Sequence, residues 1–161
     1  MGKFVSDKIR MKSVARLAAV QATYMIEYGD LNVDQAVKDF LNGDIGRYAL
    51  AENAITMDEE QVELSEFDTT YFVGLIRGAM AKKEDIEKSL AQFLNEKWPY
   101  DRMDGTLRAL LICALYELTY TTDVDAKVII QEYVDLAYAF FNKNEPKMVN
   151  ALLDQVAKAV R

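Results

Sequence analysis

The sequence predicts an all-α fold, a single compact domain of about seven helices over residues 1–161. Apolar residues recur three and four positions apart along most of the chain, which is the period of a helix that buries one face. Two prolines and seven glycines leave little material for the turns that many short strands require. The β-branched run Val128-Ile129-Ile130 could form a strand, but no partner strand is predicted elsewhere, so we assign it to a helix. A chain of 161 residues is long enough to bury one core.

The first part of the chain predicts three helices. From Val14 onward, apolar and small residues indicate one long helix that stops at Gly29. A shorter helix covers Val33 to Leu41 and ends before the next glycine. The third helix is expected to start at a capping box made of Ser65 and Asp68. Its core-facing stripe, at spacing i, i+3, i+4, i+7 and i+8, consists of Phe72, Leu75, Ile76, Ala79 and Met80.

The rest of the chain predicts four more helices. The first of them should end near Trp98-Pro99, because proline disfavours helical backbone at the residue before it. Asp123 or Asp125 and Asn144 are the expected N-caps of the last two helices, with Pro146 tolerated in a first turn. The four apolar stripes are Ile86, Leu90, Phe93 and Leu94; Leu107, Leu110, Leu111, Ala114, Leu115 and Leu118; Ile129, Tyr133, Leu136 and Phe140; and Val149, Leu152, Leu153, Val156, Ala157 and Val160.

Charge is distributed unevenly along the chain. The first sixteen residues carry five basic side chains and one acidic one, a net of +4, whereas the whole chain is −7. Lys8, Lys12 and Arg16 recur every four residues and so form one stripe on a helix. This asymmetry favours a basic arm or helix that binds a polyanion, although a solvated N-terminal face is an alternative.

An acidic segment lies between the second and third predicted helices, at about residues 42–66. Residues 30–68 hold eleven acidic residues against Lys38 and Arg47, a net of −9. The densest run, Asp58-Glu59-Glu60, lacks the alternating spacing of a calcium loop. We therefore interpret the segment as a solvated connection rather than a cation site, and expect it to repel nucleic acid by its charge.

Composition argues against catalysis, a metal site or a cofactor. The chain has no histidine and a single cysteine, Cys113, which excludes histidine-based catalytic triads and thiolate clusters within the chain. No glycine-rich phosphate loop occurs. The N-terminus lacks the apolar core of a signal peptide, so a non-enzymatic cytoplasmic protein is expected.

Four ordered blocks resemble one known family. They read ARLAAVQATY at 15–24, TLRALLICALYEL at 106–118, DVDAKVIIQEYVDLA at 123–137 and EPKMVNALLD at 145–154. Together they resemble the NusB (N-utilisation substance B) family of bacterial transcription antitermination factors, over roughly residues 8–29 and 67–160. The resemblance implies a compact helical fold that binds the boxA element of ribosomal RNA leaders as single-stranded RNA. It also implies action with the ribosomal protein NusE, the other Nus factors and RNA polymerase, so that the polymerase reads through terminators.

The resemblance implies two RNA-binding segments. The family's arginine-rich start of the first helix maps onto RMKSVAR at 10–16, where Arg10, Lys12 and Arg16 keep the charge. Three to four such contacts predict a log–log salt slope of roughly −2 to −3, at about 0.7 counterions per contact. The K-F-V-N-G motif at the last helix maps onto Lys147 to Ala151. The implied RNA-binding residues are Lys8, Arg10, Lys12, Ser13, Arg16, Gln21, Tyr24, Lys143, Asn144, Lys147, Met148 and Asn150.

One departure from the family bears on base recognition. Met148 stands where the family has phenylalanine, and a thioether gives an apolar contact but no ring on which a base can stack. Another aromatic, such as Phe141 or Tyr138, could supply the ring. The two segments are expected to lie next to each other, so that one RNA strand crosses both.

Other motif positions are expected to be structural. Arg102, Arg108, Glu117 and Glu132 lie among apolar stripes, which predicts a core or interface ion-pair network. Gly74 and Gly78, four apart on one helix, are expected to allow close helix packing.

Two other function classes stay open at the level of sequence. The first is a protein-interaction module or homodimer with weak RNA binding, in which Trp98, Tyr100, Tyr116 and Tyr120 form an exposed aromatic surface or, equally, part of the core. The second is the helical N-terminal domain of a ribosomal RNA cytosine methyltransferase, which would need a following catalytic domain.

Overall fold

The computed structural model describes residues 7–42 and 67–161, and within these ranges the regular structure is entirely helical. The all-α prediction is therefore confirmed. One short 3-10 helix spans Tyr100–Arg102. The seven α-helices are α1 (Asp7–Tyr28), α2 (Val33–Asn42), α3 (Thr69–Ala81), α4 (Lys83–Phe93), α5 (Gly105–Tyr120), α6 (Ala126–Phe140) and α7 (Asn144–Val160). None of the helices in the described ranges is both long enough and apolar enough to cross a bilayer.

Two compact units divide the chain, one up to Arg77 and one from Gly78 onward. Helix α3 contributes its first part to the first unit and its last part to the second. That the whole chain acts as a single domain stays a prediction from sequence.

The first unit is built on α1 and α2 with the start of α3. Phe72 of α3 packs against Phe40 of α2 and against Phe67, with ring centroids 5.6 Å apart in both pairs. The alanines of α1 at positions 15, 18, 19 and 22 are fully buried, which suits close packing since they present almost no side-chain bulk. Arg77 and Asp34 form an exposed ion pair at 2.8 Å.

Local hydrogen bonds define the helix ends in this unit. Helix α1 ends at Tyr28, and the Gly29 N–H donates to the Met25 carbonyl at 2.9 Å, as the predicted stop at Gly29 requires. Asn32 caps α2, because its Oδ1 accepts the Gln35 N–H at 2.8 Å. Asp68 caps α3 by accepting the Tyr71 N–H at 3.0 Å. Its predicted capping-box partner, Ser65, lies outside the described residues.

Helix α5 forms the centre of the second unit. Ten of its residues are buried, including the continuous run from Ala109 to Leu115. It packs against α4, α6 and α7, and α6 packs against α7. Asp104 caps α5 by accepting the Thr106 and Leu107 N–H groups at 2.8 and 3.2 Å.

The two predicted caps of the last helices have different outcomes. Asp125 caps α6 by accepting the Lys127 N–H at 3.0 Å, as predicted. Asn144 does not cap α7: it is the first helical residue, and Lys143 precedes it without a side-chain capping bond. Helix α4 also ends earlier than predicted, at Phe93, because Leu94 adopts an extended backbone well before Trp98.

The charged motif residues of the second unit have separate roles. Glu117 is fully buried and accepts a hydrogen bond from the Tyr133 hydroxyl at 2.5 Å. Arg108 lies over the Tyr100 ring, 5.3 Å from its centroid. Arg102 is exposed, so it does not belong to a core network, and its place in an interface network stays a prediction. A lone exposed guanidinium is solvated by water and needs no buried partner.

The two glycines of α3 differ as well. A Cβ at Gly78 would overlap the Tyr116 ring, so the predicted close packing is confirmed there. A Cβ at Gly74 would meet nothing within 4 Å, and the prediction of close packing is wrong at that position. The spacing of the glycines places both on α3, but only one of them lies under a neighbouring aromatic ring.

Candidate nucleic-acid interface

The basic residues at the start of α1 differ widely in their exposure. Lys8 and Arg10 are exposed, and Lys12 is half-buried. Arg16, the fourth member of the predicted set, is only 3% exposed. The predicted stripe of Lys8, Lys12 and Arg16 therefore does not present three cations to solvent. Its last member, Arg16, points into the protein. Residues at i and i+4 are not exactly in line along a helix, so a row that begins on the exposed face can end on the buried face.

Tyr71 of α3 explains the burial of Arg16. The Arg16 Nη2 donates to the Tyr71 hydroxyl at 3.1 Å, and the guanidinium carbon lies 5.1 Å from the ring centroid. Lys12 Nζ lies 5.3 Å from the centroid of the same ring. A cation near an aromatic face is stabilised by the ring quadrupole. Arg16 thus links α1 to α3, and a direct phosphate contact by its side chain would require it to leave this position.

Three polar residues of α1 complete the first predicted segment. The Ser13 hydroxyl donates to the Ile9 carbonyl of its own helix at 3.2 Å. The Gln21 side chain is half-buried, and its Oε1 is enclosed without a hydrogen bond to the described residues. Tyr24 is 42% exposed and packs on Tyr28, with ring centroids 5.0 Å apart. Exposed groups suited to RNA in this segment are therefore Lys8, Arg10 and Tyr24.

The start of α7 presents the second predicted segment. Lys143, Asn144, Lys147 and Asn150 are exposed, and Met148 is half-buried. The last helix places Asn144, Lys147 and Met148 on one face because they lie three and four positions apart. These three residues share one surface depression, whereas Lys143 and Asn150 lie outside its lining.

That depression, which we call the α7 groove, is formed where the chain leaving α4 meets the first turns of α7. It has a volume of about 310 Å³ and is lined by eleven residues. Phe93, Lys97 and Trp98, from the end of α4 and the chain that follows it, line the groove together with Lys147 and Met148 of α7. Two lysines and no carboxylate occur in the lining, although acidic residues outnumber basic ones by 26 to 19 in the chain. The groove is a locally cationic, partly aromatic surface on an acidic protein.

Sequence reasoning missed Phe93, Lys97 and Trp98 as candidate site residues. Trp98 was interpreted as marking a helix end or a partner surface, and its sequence distance from α7 gave no signal of proximity. The aromatics suggested in place of the family phenylalanine lie elsewhere. Tyr138 is 58% exposed on α6 and Phe141 packs on Phe140 at 6.1 Å; neither belongs to the groove lining.

The described ranges, 7–42 and 67–161, contain no group of three or more Cys, Asp or Glu side chains placed to hold a metal ion. The acidic run Asp58-Glu59-Glu60 lies outside these ranges. Cys113 is buried in α5. The chemistry available at the two segments is therefore charge, amide and aromatic contact, which is the chemistry of RNA recognition.

The sequence is similar to those of known proteins. The sequence model of the NusB family matches residues 13–158. The chain is 41% identical to the transcription antitermination protein NusB of Rhodospirillum rubrum, over 92% of this chain and 84% of that protein. It is 35% identical to the same protein of Caulobacter vibrioides, over 96% of this chain and 97% of the relative.

A solved structure extends the comparison to the fold. T. maritima NusB is 26% identical, covers 91% of this chain and 90% of its own, and superposes with a TM-score of 0.62. The matched family range covers α1 from Ser13 onward and all of the α7 groove residues. The chain therefore belongs to the NusB family of transcription antitermination proteins.

Proposed function

We propose that this chain is an RNA-binding antitermination adaptor without catalytic activity, which acts in the cytoplasm. It binds boxA-type single-stranded RNA of ribosomal RNA leaders together with the ribosomal protein NusE. With the other Nus factors it promotes read-through by RNA polymerase. The observation that supports this most strongly is the α7 groove, where the family-motif residue Lys147 lies beside Lys97 on a surface without carboxylates.

Electrostatics favour RNA at this surface. A phosphate backbone gains free energy mainly by releasing counterions to lysine and arginine, so a patch that binds RNA needs cations without nearby carboxylates. The lining of the α7 groove carries Lys97 and Lys147 and no carboxylate, in a chain whose net charge is −7. Amide side chains such as Asn144 can hydrogen-bond to base edges, which single-stranded RNA presents to a protein.

The start of α1 provides a second contact surface in this proposal. Lys8 and Arg10 bind phosphates directly, since their side chains are exposed. Lys12 stays partly accessible beside Tyr71, while Ser13, Gln21 and Tyr24 lie further along the same helix. Arg16 acts through Tyr71 by holding α1 against α3. A single RNA strand crossing both surfaces is part of the proposal.

Binding of a fluorescently labelled boxA oligomer tests the proposal. The boxA oligomer should bind more tightly than a scrambled oligomer of equal length and composition, with NusE present and at low salt. Affinity should fall with added salt, because phosphate contacts release counterions. Equal affinity for the two oligomers would contradict the proposal.

A second candidate function is a protein-interaction module or homodimer. The observation that favours it is a set of exposed tyrosines, among them Tyr24, Tyr28, Tyr120 and Tyr138, since tyrosine is enriched at protein interfaces. Light scattering of the chain alone, with NusE, and then with RNA separates the two functions. A mass that doubles without RNA, together with equal binding of boxA and scrambled RNA, would favour the second.

A further inference from the structure

We propose that the α7 groove is a subsite for a single unpaired RNA base and that the Trp98 indole is the ring on which this base stacks. Trp98 would then supply the aromatic face that Met148 lacks, since both residues line the same groove. This inference rests on the proposed function and adds to it the residue that contacts the base.

The size of the groove suits one base. Its volume of about 310 Å³ lies at the small end of the range of ligand clefts, about 300–1,000 Å³. Trp98 is half-buried, so its position is held by the protein while part of the ring stays accessible. A ring held in place loses little conformational entropy when a base stacks on it.

The side chains around Trp98 match the parts of a nucleotide. Lys97 and Lys147 provide cations for the flanking phosphates. The amides of Asn95, Asn144 and Gln155 offer both donors and acceptors, which the Watson–Crick edge of an unpaired base requires. Aromatic stacking, cations and amides together are the elements of single-strand recognition.

Trp98 is the only tryptophan of the chain, so tryptophan fluorescence reports on the α7 groove. Because the sequence contains one tryptophan, the intrinsic fluorescence excited at the indole band arises from Trp98. A base stacked on the indole should quench this emission. Titration of the full chain with the boxA oligomer at low salt should give saturable quenching, with the same midpoint as the anisotropy of the labelled oligomer.

The outcomes of this titration distinguish failure of the base subsite from failure of the proposed function. Anisotropy that saturates while tryptophan emission stays unchanged would overturn the subsite and leave the proposed function standing. Anisotropy equal for boxA and scrambled oligomers would contradict the proposed function itself. Quenching by NusE in the absence of RNA, with no further change when RNA is added, would assign the groove to a protein segment and overturn the subsite.

Substitution of the ring provides the second arm. Trp98→Leu should raise the Kd for the boxA oligomer about 5- to 150-fold, the range that loss of base–aromatic stacking covers. Trp98→Phe should keep most of the affinity, since it retains a stacking ring. Tyr120→Leu removes an exposed aromatic of the same unit outside the groove and should leave the Kd unchanged.

Two results of this arm would overturn the subsite. One is parental affinity in a folded Trp98→Leu protein, with folding verified by far-UV circular dichroism. The other is a loss of affinity on Tyr138→Leu or Phe141→Leu that Trp98→Leu does not show. Should Trp98→Leu fail to fold, Trp98→Phe and the fluorescence of the parent protein decide the matter.

Discussion

The start of α1 and the start of α7 carry the same kind of sequence signal and use it differently. Each places basic residues in the first turns of a helix. In α1 the third helical turn directs Arg16 inward onto Tyr71, leaving the outer cations Lys8 and Arg10 in solvent. In α7 the corresponding cation, Lys147, opens onto a groove beside Trp98.

The difference shows that a basic residue in a binding motif can serve either the ligand or the protein. A guanidinium can bind a phosphate, but it can equally donate to a phenol and lie on its ring, and a buried position favours the second use. Lys147 lies on an exposed face, and the groove lining offers it no carboxylate as an internal partner. The α1 segment therefore combines one cation that packs inside the protein with cations that face solvent, whereas both lysines of the α7 segment face solvent.

The largest expected effect breaks the scaffold role of Arg16. Arg16→Ala should lower the free energy of unfolding by about 2–3 kcal/mol, because it removes a partly buried hydrogen bond from a charged donor together with the packing of its buried stem. Tyr71→Phe, which keeps the ring and removes the hydroxyl, is the matched variant and should cost less. Urea denaturation measures both. If Arg16→Ala left stability unchanged but abolished RNA binding, Arg16 would be assigned to the RNA interface instead.

The paired glycines of α3 test the same principle inside one helix. Gly78→Ala should destabilise the protein by about 1–3 kcal/mol, since the new methyl group overlaps the Tyr116 ring. Gly74→Ala should stabilise it by about 0.5–1 kcal/mol, because alanine has the higher helix propensity and the position is open. Thermal unfolding followed by circular dichroism compares the two. Stabilisation by Gly78→Ala together with destabilisation by Gly74→Ala would refute the assigned packing.

The interface role of α7 predicts a loss of RNA affinity without a loss of stability. Lys147→Gln should weaken boxA binding several-fold and reduce the log–log salt slope by about 0.7, the contribution of one phosphate contact on a single strand. Lys158→Gln, exposed near the other end of α7, is the charge-matched control and should bind like the parent. Titrations at four salt concentrations give the slopes, and the same loss in both variants would indicate only a net-charge effect.

The smallest expected effect concerns the outer cations of α1. Arg10→Gln should weaken RNA binding about as much as any single exposed phosphate contact, with a similar change in salt slope and a smaller effect on the free energy of unfolding than Arg16→Ala. The informative quantity is the contrast with Arg16→Ala, measured on both affinity and stability. If Arg10→Gln lowered stability as much as Arg16→Ala, the division of α1 into scaffold and interface would be wrong.

Much of the fold could be predicted from the sequence because the signals that define helices are local. The stripe from Phe72 to Met80 and the cap at Asp125 depend on residues within a few positions of each other, and both predict helices that the structure contains. The stop at Gly29 is local in the same sense. The end of α4 was misplaced because Leu94 leaves the helix before the proline signal at Trp98-Pro99.

The candidate site could be predicted only in part. The family motif located Lys147 and Met148, and the charge asymmetry located the basic start of α1. Neither could show that Trp98 lines the same groove as Met148, because the two residues are distant along the chain.

The sequence by itself determined the helical fold class, most helix positions and the family to which the chain belongs. Only the tertiary structure decided that Arg16 is buried, that Gly78 and not Gly74 lies beneath Tyr116, and that Trp98 faces the motif helix. The physical reason is the sequence separation over which each kind of interaction acts. Backbone hydrogen bonding and hydrophobic periodicity act between neighbours in sequence, whereas burial of a cation or a ring depends on which distant residue the fold brings beside it.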